Sequence, residues 1–173
     1  MTDHAYLFGA KRTPIGSFQG ALAHRTAPEL GAHAVKAAVD HANIDPDAID
    51  EVFLGCVVSA GVKQAPARQA MRLAGIPDRV GATTINKVCG SGMKATMLAC
   101  DLIRAESARC VVAGGMESMS NAPSCAQGHP IGSTGSRLIV TLIHALRARG
   151  EKSGVASLCI GGGEATAIAI EGV

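Results

Sequence analysis

Two stretches of the chain pass through the same succession of features, and this repeat limits the possible folds more than anything else. Each stretch reads as a reactive side chain, a turn of small residues, an amphipathic helix, an apolar strand with a cysteine, and a glycine-rich turn closed by an acid. The first runs from Cys89 to Gly114-Gly115-Met116-Glu117, the second from His129 to Gly161-Gly162-Gly163-Glu164. More strands precede the first copy than the second. Helical patterns alternating with buried-type strands predict an α/β fold with a largely parallel sheet.

The remaining elements follow from local signals. Tyr6 to Ala10 reads as a first strand. Thr26-Ala27-Pro28-Glu29 is a capping box, and the small-residue helix it opens ends before Asp45-Pro46. Glu51 to Ala60 reads as a strand buried on both faces, Gln64 to Ala74 as a short helix and Ala82 to Val88 as a strand running into Cys89. The last helix opens near Gly132 to Ser136 and stops at Gly150. Val155 to Ile160 and Thr166 to Ile170 read as strands on either side of the triple glycine.

Composition excludes several classes. Hydrophobic residues make up 47% of the 173, enough for a core, and the formal net charge is only +2. With no basic stripe and 2% aromatics, a nucleic-acid surface is not expected. Apolar runs are broken by His144 and Glu164 before reaching the 18 or so residues a membrane span needs, so no membrane partner is expected. The six cysteines show no C-x-x-C pair, which predicts free thiols in a reducing, cytoplasmic setting. No H-E-x-x-H or i, i+4 histidine pair occurs, so no metal site is expected.

Three side chains stand where chemistry could occur. Cys89 lies between a strand and a helix start, a setting that favours the thiolate, and the flanking glycines admit a substrate carbonyl. His129, in Gly128-His129-Pro130, holds the matching position in the second unit and could act as its base. Two such units packed face to face would bring the pair together. Cys159 ends a strand before Gly161-Gly162-Gly163, whose amides could form an oxyanion hole. The plain alternative for each cysteine is a core-filling thiol, and for the histidine a loop residue. Cys56, Cys100 and Cys110 fall inside periodic elements and read as core; Cys125 reads as an incidental loop thiol. Gly90-Ser91-Gly92-Met93-Lys94-Ala95 also matches a dinucleotide fingerprint, but no acid follows a second strand about twenty residues on.

These segments resemble one family closely. Lys11-Arg12-Thr13-Pro14-Ile15-Gly16-Ser17-Phe18, Asn86-Lys87-Val88-Cys89-Gly90-Ser91-Gly92-Met93-Lys94 and Ala113-Gly114-Gly115-Met116-Glu117-Ser118-Met119-Ser120-Asn121 resemble the thiolases, and within them the acetyl-CoA acetyltransferases. Gly128-His129-Pro130-Ile131-Gly132 and Cys159-Ile160-Gly161-Gly162-Gly163 are similar to that family's two C-terminal motifs. The resemblance implies a layered αβαβα fold of two similar halves. Residues 1–127 would form a nearly complete first half, and residues 128–173 only the last helix and strands of the second.

It further implies an acyltransferase that condenses two acetyl-CoA to acetoacetyl-CoA and CoA, or runs the reverse thiolysis, in fatty acid or ketone metabolism. Cys89 would carry the acyl group, His129 would activate it, and Cys159 would deprotonate the second substrate. The backbone amides of Cys89 and Gly161 would hold the oxyanion. Coenzyme A thioesters would enter as substrates, with no resident cofactor. By the same resemblance the middle of the family's chain is absent: the loop domain that holds CoA, the opening strands of the second half, the Asn-Glu-Ala-Phe segment and the tetramer-forming segment. No Asn-Glu pair occurs in the sequence. A homo-oligomer is the family's expectation, weakened here by that absence. Two other readings stay open. One is a non-catalytic remnant or subunit-binding module. The other is a ketosynthase-like condensing enzyme, against which the pairing of His129 with Cys159 speaks.

Overall fold

The computed structural model describes residues 4–122, 130–160 and 164–172. His129, Gly161 and Cys125 therefore lie outside the described residues. Helix α1 (Ala27–Ala42) begins at the expected capping box, with Thr26 and Glu29 each holding the other's backbone amide. The Thr26 bonds hold the Glu29 carboxyl below its ordinary pKa. Strand β1 (Glu51–Gly55) follows, then α2 (Pro66–Leu73), β2 (Gly81–Ile85), α3 (Ser91–Arg104) and β3 (Val111–Gly115). Helix α4 (Thr134–Arg149) ends at Gly150, whose φ of 68° is the left-handed cap the sequence called for. Strands β4 (Ser153–Ile160) and β5 (Glu164–Glu171) complete the chain.

The strands form two sheets rather than one. β1 lies between β2 and β3, parallel to both, while β4 and β5 pair antiparallel with Ile160 opposite Glu164. Val52 and Leu54 pack with Val35, Val39 and Met71 in a core between the parallel sheet and α1–α2. On the other side, Met93, Ile139, Ile143, Ala156 and Ile170 join α3 and α4 to the inner face of the β4–β5 pair. The layers therefore run α1–α2, parallel sheet, α3–α4, antiparallel pair. This is an α/β arrangement with four of the layers an αβαβα stack would have.

Tyr6 to Ala10 does not form a strand. The segment pairs with no strand, although among the described residues β2 and β3 each keep an open outer edge. It passes instead between helices: Gly9 abuts the Ala38 carbonyl of α1, and His144 of α4 is within hydrogen-bond reach of the Ala10 carbonyl at 3.1 Å. Tyr6 and Phe8 are left 73% and 66% exposed. β1 and β2 also stop short of the expected ends at Ala60 and Val88, because the chain turns away after Gly55 and Ile85.

The starts of α3 and α4 meet backbone to backbone. A Cβ on Gly135 would stand 2.6 Å from the Met93 nitrogen, and one on Gly92 would stand 2.9 Å from the Ser136 nitrogen. The absence of side chains sets this approach. Gly135→Ala should force the helices apart and lower unfolding free energy by about 1–3 kcal/mol, as overpacking does. Denaturant titration of the variant against the parent chain measures it; an unchanged midpoint would contradict the contact.

Candidate active site

Cys89 sits on a tight elbow between β2 and α3. The Asn86 side-chain oxygen accepts the Val88 amide at 3.1 Å. Ser91 Oγ, fully buried, accepts the Lys87 amide at 2.8 Å and donates to the Val88 carbonyl at 2.6 Å. These bonds hold Val88 at φ 46°, a left-handed conformation that a β-branched residue adopts only under constraint. The strain aims the next residue, Cys89, outward ahead of the first helical turn. Its side chain is half-buried and takes no hydrogen bond among the described residues.

The second unit arrives at the same place. The backbone of Gly132, just before α4, presses on the ends of β1 and β3 and on the start of α3: a Cβ on Gly55 would lie 2.5 Å from its carbonyl oxygen, one on Gly115 would collide with it, and one on Gly92 would lie 3.1 Å away. The helix starts that follow Cys89 and Pro130 are therefore in contact at the carboxyl ends of the parallel strands, where α/β sheets hold ligands. The tip of the β4–β5 pair closes on the elbow as well. Ile160 and Thr166 meet Gly90, and Lys87 forms a 2.7 Å ion pair with Glu164. Cys159 precedes Ile160 on β4 and alternates with it, so its side chain is exposed on the outer face of the pair.

The site's main feature missed by sequence reasoning is Glu117. Read only as the acid ending a glycine turn, it is 6% exposed and collects four donors. Oε1 accepts from the Val58 amide at 3.1 Å and the Cys56 thiol at 3.6 Å; Oε2 accepts from Val57 at 3.1 Å and Gly132 at 2.8 Å. The signal available was its place directly after an apolar parallel strand, at the end of the sheet where the layers meet. Glu164, its counterpart in the repeat, opens a strand, stays largely exposed and pairs with Lys87. The two acids share a pattern and differ in environment.

Three of the other cysteines are held as thiols. Burial, then the Glu117 charge and hydrogen bond, push Cys56 from 9.0 up to about 12. Burial raises Cys100 and Cys110 too, aided by the Asp101 and Asp50 charges. Among the described residues no group of His, Cys, Asp and Glu could hold a metal, and no helix is long and apolar enough to cross a membrane. A cavity of about 180 Å³ lies under the Gly9–Phe18 segment, between α1, β3 and α4, and neither Cys89 nor Cys159 lines it.

Iodoacetamide near neutral pH should therefore modify Cys89 and the exposed Cys159 well before Cys56, Cys100 and Cys110, as peptide mass mapping would read. Cys56 keeps its proton more tightly when folded, so its contribution to stability is complete below about 9 and lost as pH rises towards about 12. Denaturation midpoints across that alkaline range should fall less steeply in Cys56→Ala.

Comparison with known proteins accounts for this arrangement. The thiolase N-terminal domain family matches residues 5–143, and the thiolase C-terminal domain family matches residues 120–172. An acetyl-CoA acetyltransferase of Schizosaccharomyces pombe is 51% identical over 123 residues, 71% of this chain and 31% of that protein. A cytosolic acetyl-CoA acetyltransferase of Gibberella zeae is 53% identical over 118 residues, covering 68% and 30%. A mitochondrial one of Xenopus laevis is 53% identical over 123 residues, covering 71% and 29%. A crystal structure of a thiolase from Ascaris suum in complex with coenzyme A superposes with a TM-score of 0.67 at 42% identity, over 74% of this chain and 34% of that one. The chain thus spans about a third of the length of the relatives it matches. With both domain families matched in order, and the two helix starts meeting at the ends of a parallel sheet, the chain belongs to the thiolase family.

Proposed function

We propose that this chain carries out thiolase-type acyl transfer on coenzyme A thioesters, with Cys89 as the acyl carrier. The observation that carries the reading is the elbow: a half-buried thiol with no hydrogen bond among the described residues, placed by a strained Val88 at a helix start. The Cys89 sulfur attacks the thioester carbonyl, His129 takes its proton and passes it to the departing CoA sulfur, and an acetyl-cysteine remains. In the second half, Cys159, as thiolate, takes a proton from the methyl of another acetyl-CoA. The resulting carbanion attacks acetyl-Cys89, which yields acetoacetyl-CoA and expels the Cys89 thiolate, and the proton gained by Cys159 passes to that thiolate to restore both groups. Amides of Cys89 and Gly161 stabilise the oxyanion. His129, Gly161 and Cys159 enter this scheme through their motifs. The division at 127/128 belongs to the same reading, as do a cytoplasmic location and a role in fatty acid or ketone metabolism.

Turnover by this chain should be slow. It spans about a third of its relatives and has no Asn-Glu pair to supply the family's other oxyanion donor, and losing one such donor typically costs about 10²–10³ in rate. A purified chain incubated with acetyl-CoA and digested should carry acetyl mass on the Cys89 peptide, and Cys89→Ser should abolish it. Acetyl found only on another cysteine would refute the assignment. Rapid acetoacetyl-CoA formation would refute the slow-turnover reading.

A further inference from the structure

We infer that Glu117 is a positioning residue: its buried carboxylate clamps the segment leading into α4, and with it the chain that immediately follows the candidate base His129. This rests on the acyl-transfer reading above. A carboxylate offers about four lone-pair sites, and here four donors take them: the amides of Val57, Val58 and Gly132 and the Cys56 thiol. The donors come from the loop after β1 and the entry to α4, while Glu117 itself follows β3. One side chain therefore joins three segments at the carboxyl end of the parallel sheet.

A structural filler would not be charged. Burying a carboxylate is costly, and apolar packing usually does as well or better for stability. Among the described residues no cation pairs with Glu117, and three backbone amides and the Cys56 thiol compensate it. What the carboxylate supplies is an acceptor-only grip on three fixed N–H groups. The 2.8 Å bond to Gly132 is the shortest of the four, and a Cβ at Gly132 would stand 2.9 Å from the same carboxylate oxygen. The segment is held by its backbone, three residues beyond His129. Cys89 is held separately by Asn86 and Ser91, so the two sides of the site have independent supports.

Glu117→Gln tests this, because the amide keeps the shape but turns two N–H groups towards donors. Three readouts separate positioning from packing: amide hydrogen exchange at Gly132, the alkylation rate of Cys89, and kcat against KM for acetyl transfer from acetyl-CoA. The expected result is faster exchange at Gly132, unchanged Cys89 alkylation, and kcat down about 10²-fold with KM little altered, the effect a displacement near 1 Å produces. Retained kcat, or unchanged protection of Gly132, would overturn the inference. So would a parallel loss of Cys89 alkylation, which marks general loosening. If the Gln variant does not fold, Glu117→Asp keeps the charge with a shorter reach and should lower kcat in the same way. A parent chain that never acetylates Cys89 would defeat the acyl-transfer reading and the catalytic side of this one, while Gly132 exchange would still decide the clamp.

Discussion

The site exists because bare backbone can approach bare backbone where the two repeat units meet. Gly92 at the start of α3, Gly132 and Gly135 at the entry and start of α4, and Gly55 and Gly115 at the strand ends keep side chains out of the contact between the layers. Two helix N-termini and two strand C-termini can then occupy one small volume. Any Cβ at these positions would push the layers apart and separate the segments that carry Cys89 and follow His129. The hydrophobic cores on either side give the layers their cohesion, but they do not set this registration. Cores tolerate small shifts that a glycine contact at 2.6–2.9 Å does not.

Within that volume the chain treats sulfur in two ways. Cys56 is buried beside a carboxylate and its proton is locked on. Cys89, two residues before α3, has neither a carboxylate nor a hydrogen bond at its thiol among the described residues. The sequence reads Cys56 as inside a strand and Cys89 as following one. Their surroundings differ because Cys56 lies where Glu117 folds back, while Cys89 lies on a turn held by the Asn86 and Ser91 side chains.

What could be read from the residues was what short-range chemistry decides. Thr26 and Glu29, Gly150, and the alternation in β5 each act over a few residues, and each feature formed where expected. Tyr6–Ala10 forms no strand because its backbone is taken up by helices: Gly9 packs on the Ala38 carbonyl and Ala10 meets His144, partners 29 and 134 residues away that local sequence does not reveal. The sheet was not largely parallel throughout, since β4 and β5 are close enough in sequence to pair as antiparallel neighbours. Glu117 was read only as punctuation because its partners lie 15 to 61 residues away. The outward side chain of Cys159 follows from the phase of β4, fixed by Ala156 and Ile160 facing α4 and α3 rather than by the glycines that follow.

The elbow and the Glu117 clamp also differ in the order in which a growing chain can make them. Every hydrogen bond that shapes the elbow spans two to four residues. The loop around Cys89 therefore needs almost no loop-closure entropy and can form while the rest of the polypeptide is still being synthesised. The clamp reaches back 59 to 61 residues to the loop after β1 and forward 15 to Gly132, so it closes only after α4's entry has emerged. The housing of Cys89 is thus an early, autonomous piece of the molecule. The clamp is a later, long-range event, and a chain that stalls before it would display a shaped thiol without the entry to α4 fixed beside it.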